Sequence, residues 1–183
     1  MKKEIYFTIL LSLFFSLKHS YGQYTAIPDP NFEQALIELG IDSDGQINGQ
    51  MYTDDAVGVV DLDVNNRNIS DLTGIEAFID LSNLGCTDNH ITSLDLSGNL
   101  KLKNLICNYN QLTSINVSQN LELLELYCGG NQLSTIDLGN NGLLERLDCY
   151  SNNFEDIDLS KLANLQILDC GDNQFVSIDV SNN

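Results

Sequence analysis

Hydrophobic positions in the second half of the chain recur on a fixed period. Leucine stands at Leu81, Leu102, Leu123, Leu144 and Leu165, and again three residues later at Leu84, Leu105, Leu126, Leu147 and Leu168. Cysteine follows at Cys86, Cys107, Cys128, Cys149 and Cys170, and asparagine at Asn89, Asn110, Asn131, Asn152 and Asn173, each 21 residues after the last. The other half of each unit also repeats, from Ile91-x-x-Leu94-Asp95-Leu96-Ser97 to Phe175-x-x-Ile178-Asp179-Val180-Ser181. Such a period predicts a solenoid whose stacked units share one core. Asn83-Leu84-Gly85-Cys86 alternates outward and inward, as a strand with one buried face does. Stacking sets these strands about 4.8 Å apart in a parallel sheet. Leu94-Asp95-Leu96 alternates too and predicts narrow strands on the opposite, convex side. No unit holds ten consecutive residues of helical pattern, so a mainly β fold is expected.

The pattern L-x-x-L-x-C-x-x-N-x-L resembles the leucine-rich repeat, in the 21-residue form of secreted, internalin-like bacterial proteins. The resemblance covers about residues 56–183. It implies a right-handed solenoid that binds other molecules through its concave sheet, and it names no ligand.

The rest of the chain divides around the repeats. Residues 81–183 form five regular units, and residues 56–80 an irregular first one, with Val59, Leu62 and Val64 standing 22 residues before Leu81, Leu84 and Cys86. Residues 23–55 are not repeat. Asp29-Pro30 reads as a helix cap and first turn, Phe32, Ala35, Leu36 and Leu39 form an apolar stripe, and Gly40 is the stop. This short helix is expected to cap the open N-terminal end of the stack. Asp42-Ser43-Asp44-Gly45 resembles part of a calcium loop, but the first and last liganding places fall on Gly40 and Met51 rather than carboxylates. A Gly/Asp-rich turn is the reading preferred, with calcium the alternative. Residues 1–22 carry a basic start, an apolar run from Ile5 to Leu17 and small residues up to Gly22, which predicts a secretory signal peptide cleaved near Gly22. The expected location is therefore outside the cell or on its surface, with no membrane insertion.

Repeat phase also assigns the polar columns. Asn89 and its equivalents sit where the chain turns inward, and an amide that both donates and accepts suits backbone groups left open there. The five cysteines share one inward phase, which suits free thiols packed as small hydrophobes better than disulfides, since parallel neighbours rarely meet the required dihedral. No histidine joins them, so no metal site is expected. Asp95, Asp137, Asp158 and Asp179, with Asn116 among them, form a convex column that solvent screening tolerates, bound calcium again being the alternative.

The functional expectation rests on outward positions of the concave strands. They include Asp61, Asp63, Ile106, Tyr109, Tyr127, Arg146, Asp148, Tyr150, Ile167 and Asp169. Ile106, Tyr127 and Asp148 should lie in a row, flanked by Tyr109 and Tyr150 on the turn side and by Arg146 and Ile167 on the other. Aromatic residues and arginine near the centre of a face favour binding, of a protein or a glycan. A structural spacer, or the N-terminal part of a larger multidomain surface protein, is the alternative.

Charge narrows the partners further. The chain holds 26 acidic and 8 basic residues; removing Glu4 with Lys2, Lys3 and Lys18 leaves 25 against 5, a net of −20. Such a surface repels nucleic acid. Without the leader the chain keeps one histidine, His90, and shows no phosphate loop, so neither catalysis nor a cofactor is expected. The sequence ends at a regular unit, and the inward residues of that unit predict either further chain or self-association at that end.

Overall fold

The computed structural model describes residues 23–183, so the signal peptide expected over residues 1–22 lies outside the described residues. The described chain is a parallel β-solenoid of leucine-rich-repeat turns behind an N-terminal cap. Its main sheet takes one strand from each turn: β3 (Asp61–Asp63), β4 (Asn83–Gly85), β5 (Asn104–Ile106), β6 (Glu125–Tyr127), β7 (Arg146–Asp148) and β8 (Ile167–Asp169), in that order. Register follows the sequence repeat, with Leu62, Leu84, Leu105, Leu126, Leu147 and Leu168 side by side. The next inward place holds Val64 and then the cysteines, of which Cys86, Cys107, Cys128 and Cys149 are buried and Cys170 is half-buried. All five thiols are free.

The convex strands expected from Leu94-Asp95-Leu96 and its equivalents do not form; that side runs as tight turns with no ladder between them. Polar spacing explains the difference. Each residue between the two inward apolar ones folds back on its own backbone: Asp95 Oδ1 accepts from the Ser97 N–H at 3.0 Å, and Asn116, Asp137, Asp158 and Asp179 do the same for the residue two places on. This local bond turns the chain out of strand conformation.

Two asparagine columns fasten the turns. Asn131 Nδ2 donates to the Cys107 and Cys128 carbonyls, both at 3.0 Å, and its Oδ1 accepts from the Leu112 N–H. Asn89, Asn110, Asn152 and Asn173 repeat this bridge between neighbouring turns. The second column was not anticipated from the sequence. Asn99, Asn120 and Asn141 are wholly buried on the far side and donate to carbonyls of the preceding turn, Asn120 to Leu96 and Asn99. Its signal was present as the same 21-residue spacing, interrupted by Leu162.

The cap comprises helix α1 (Pro30–Glu38) and a two-stranded antiparallel sheet, β1 (Tyr24–Ala26) with β2 (Gln50–Tyr52). Asp29 caps α1 with one carboxylate oxygen and accepts the Ser70 and Asp71 N–H groups with the other, which pins the helix to the first turn of the solenoid. Phe32, Ala35 and Leu36 are buried, but Leu39 is 44% exposed, because the helix ends there and Gly40 reverses the chain at φ 71°. Between α1 and β2, the wholly buried Glu33 accepts from the N–H groups of Asn48, Gly49 and Gln50. In the turn resembling a calcium loop, Asp44 takes the Gln46 N–H and the Asn48 amide, and Asp55 takes Ser43. Asp42 Oδ1 takes the Asp44 N–H, while its Oδ2 is buried without a partner.

Candidate concave binding face

The outward residues of β3–β8 form two rows. One runs Asp61, Asn83, Asn104, Glu125, Arg146, Ile167, and the other Asp63, Gly85, Ile106, Tyr127, Asp148, Asp169. The structure thus brings Ile106, Tyr127 and Asp148 side by side, with Arg146 and Ile167 in the adjoining row. Ile106 and Ile167 are exposed, at 37% and 47%, while Tyr127, Arg146 and Asp148 are half-buried.

Two aromatic contacts organise the centre. The Arg146 guanidinium carbon lies 5.1 Å from the centre of the Tyr127 ring, a cation–π contact. The Tyr127 hydroxyl donates to Glu125 Oε2 at 2.8 Å, and burial together with that carboxylate pushes its pKa up. Arg146 forms no ion pair among the described residues, and its Nε is buried without a partner. Burial also pushes the neighbouring Asp148 carboxyl up, with Asp169 adding repulsion.

Tyr109 and Tyr150 meet on the turn side. Their rings are 6.0 Å apart and nearly perpendicular, and their hydroxyls are hydrogen-bonded. The contact with Tyr109, then burial, pushes the Tyr150 hydroxyl up to about 12. The turn between them carries Gly129-Gly130. A Cβ added at Gly129 would lie 2.4 Å from the Tyr150 ring, and one at Gly130 would lie 2.6 Å from the Tyr109 ring. The two rings therefore fold over a place that only glycine leaves open. Tyr109 also adopts a left-handed backbone at φ 53°, as Asp88, Ser151 and Asp172 do at the same repeat position. A bulky aromatic there is strained, by on the order of 1–3 kcal/mol, and persists because the repeat dictates the backbone.

A second concavity was missed by the sequence reading. Where the cap meets β3–β5 opens a groove of about 670 Å³, lined by Leu39, Ile41, Val60, Asp61, Asp63, Gly85 and Ile106 among others. Its only sequence signal is Gly85, which stands where later turns carry Ile106, Tyr127 and Asp148. No group of three or more His, Cys, Asp or Glu is placed to hold a metal among the described residues. No helix of the described residues is long and apolar enough to cross a membrane.

Parallel strands in register, 21-residue turns and an asparagine bridge at every turn define a leucine-rich-repeat protein. The chain is similar to internalin J of Listeria monocytogenes serotype 4b, strain F2365, with 38% identity over 72 residues that make up 39% of this chain and 8% of that protein. Among solved structures it is similar to internalin C2 of Listeria monocytogenes 4b F2365, with 26% identity, 90% of this chain and 84% of that one covered, and a TM-score of 0.56. It shares its fold with an internalin, inlF, of the same strain, at 22% identity, 84% and 59% coverage and a TM-score of 0.59. No family model matches the sequence. The match spans less than a tenth of the internalin J chain.

Proposed function

We propose that the chain is a non-enzymatic binding module, secreted or displayed at the cell surface, that grips a protein or glycan with the middle of its concave sheet. The observation that carries this is the centre of the face. An arginine without an ion pair among the described residues stacks on Tyr127, beside two tyrosines clamped over glycines. Aromatic and arginine side chains in a partly desolvated patch are the residue types that dominate binding energy. Tyrosine also stacks on sugar rings, and the surrounding carboxylates favour a cationic or hydroxyl-rich ligand.

A spacer role has one point in its favour, the small share of internalin J that the match spans. The two readings part on mutation. The immobilised full chain would be screened against extracellular proteins and a glycan array, and each hit re-measured with Tyr127→Ala and Thr113→Ala. A central anchor weakens by on the order of 2 kcal/mol, roughly thirtyfold in Kd, while Thr113, exposed on the convex side, changes nothing. Hits that bind both variants as they bind the parent would remove the concave centre from consideration.

A further inference from the structure

We propose that the groove between the cap and β3–β5 is a second recognition site, and that it takes a lysine or arginine side chain presented by an extended segment of a partner protein. The groove is large enough for such a segment, since its roughly 670 Å³ lies within the range of ligand sites, about 300–1,000 Å³. Its lining combines two chemistries. Leu39, Ile41 and Val60 are apolar, with Leu39 at 44% and Val60 at 47% exposure. Asp61 and Asp63 are acidic, both exposed and both on outward places of β3. Outward places two apart on a strand stand about 6.6 Å from each other, so one cationic head reaches both carboxylates.

Neither aspartate is neutralised by the protein itself. Among the described residues the ion pairs are Arg67 with Glu38, Lys101 with Asp80 and Lys103 with Glu122, and none includes Asp61 or Asp63. Asp61 accepts the Asn83 amide and Asp63 the Asn65 N–H, bonds that orient the carboxylates without cancelling their charge. An aliphatic stem with a cation at its tip, which is the form of lysine and arginine, matches a groove that combines apolar residues with two carboxylates. Gly85 adds no side chain to the groove floor, where the same row continues with an isoleucine at Ile106 on β5; the Asn65 side chain lies over it, 3.1 Å from where a Cβ would stand.

The groove shares Asn104 and Ile106 with the concave face but includes neither Tyr127 nor Arg146, and the test keeps it apart from the aromatic centre. The ¹⁵N-labelled full chain would be titrated with four peptides, acetyl-Ala-X-Ala-amide with X lysine, arginine, norleucine or glutamate, and followed by amide shifts. The lysine and arginine peptides should move Leu39, Ile41, Asp61, Asp63 and Gly85, and norleucine should bind at least tenfold more weakly. Asp61→Asn with Asp63→Asn should lower lysine-peptide affinity at least fivefold, keeping the acceptor for Asn83. Gly85→Ile should abolish binding by driving bulk and the displaced Asn65 side chain into the groove. Tyr127→Ala should leave peptide binding unchanged, whatever it does to a partner at the centre. Equal binding of norleucine and lysine would overturn the proposal. So would shifts spread over the acidic convex turns, or a Glu155→Gln change as damaging as the aspartate pair.

Discussion

Tyr109 and Tyr150 lie 41 residues apart, yet their rings meet edge to face because the intervening turn offers Gly129 and Gly130 instead of side chains. Both glycines are therefore part of the aromatic site. Gly129→Ala should push the Tyr150 ring aside and separate the hydroxyls, lowering the near-ultraviolet dichroism of tyrosine while far-ultraviolet dichroism stays as it is. Gly130→Ala adds a left-handed backbone penalty of about 1 kcal/mol to the same clash. An unchanged tyrosine spectrum in Gly129→Ala would show that the pair does not depend on the glycine.

The two asparagine columns should differ in worth. Asn131 uses both ends of its amide, whereas the buried Asn120 donates twice but its Oδ1 has no partner. Asn131→Ala leaves buried carbonyls and an N–H open and should destabilise by on the order of 1–3 kcal/mol. Asn120→Ala removes an unsatisfied acceptor along with its donor and should lose less. Denaturant melts of the two variants decide this, and equal losses would show that the acceptor is irrelevant.

Thiol reactivity should follow depth in the column. Burial pushes Cys86 and Cys149 up to about 12, raises Cys107 and Cys128 strongly, and raises the half-buried Cys170 as well. The thiolate is the reactive form, so a disulfide reagent at pH 8 should label Cys170 first and the other four only in denaturant. Cys128→Val should fold, and Cys128→Asp should not, since it buries an unpaired charge. Rapid labelling of all five thiols in the native protein would contradict this packing.

The convex aspartates set an acid limit. A backbone bond to Ser97 holds Asp95 below the usual carboxylate range, and hydrogen bonds to Ser160 and Ser181 do the same for Asp158 and Asp179. A depressed folded pKa contributes stability that is present above the unfolded value, about 3.9, and lost as pH falls through the folded one. Melting temperature should therefore drop below about pH 4. Asp95→Asn, which keeps the turn but cannot titrate, should show a shallower drop. A parallel curve for the variant would remove these turns from the acid transition.

The sequence by itself determined the solenoid. Leucines, cysteines and asparagines on one period can be buried together only if the chain coils once per unit, so fold and strand register are both legible in the sequence. Local alternation at Leu94-Asp95-Leu96 misled, because an aspartate two residues before a free N–H bends the chain more readily than it continues a strand. The row of Ile106, Tyr127 and Asp148 followed from the period as well. What tertiary structure alone decided lies between elements that no period relates. Leu39 turned from core to groove lining because the helix, pinned to the first turn by Asp29, ends there and Gly40 reverses the chain. The meeting of Tyr109 with Tyr150, the seat of Arg146 on Tyr127 and the groove beside Gly85 depend on side-chain directions across turns. A repeat fixes where each backbone stands, and the size of each neighbour then decides which rings touch and where room is left.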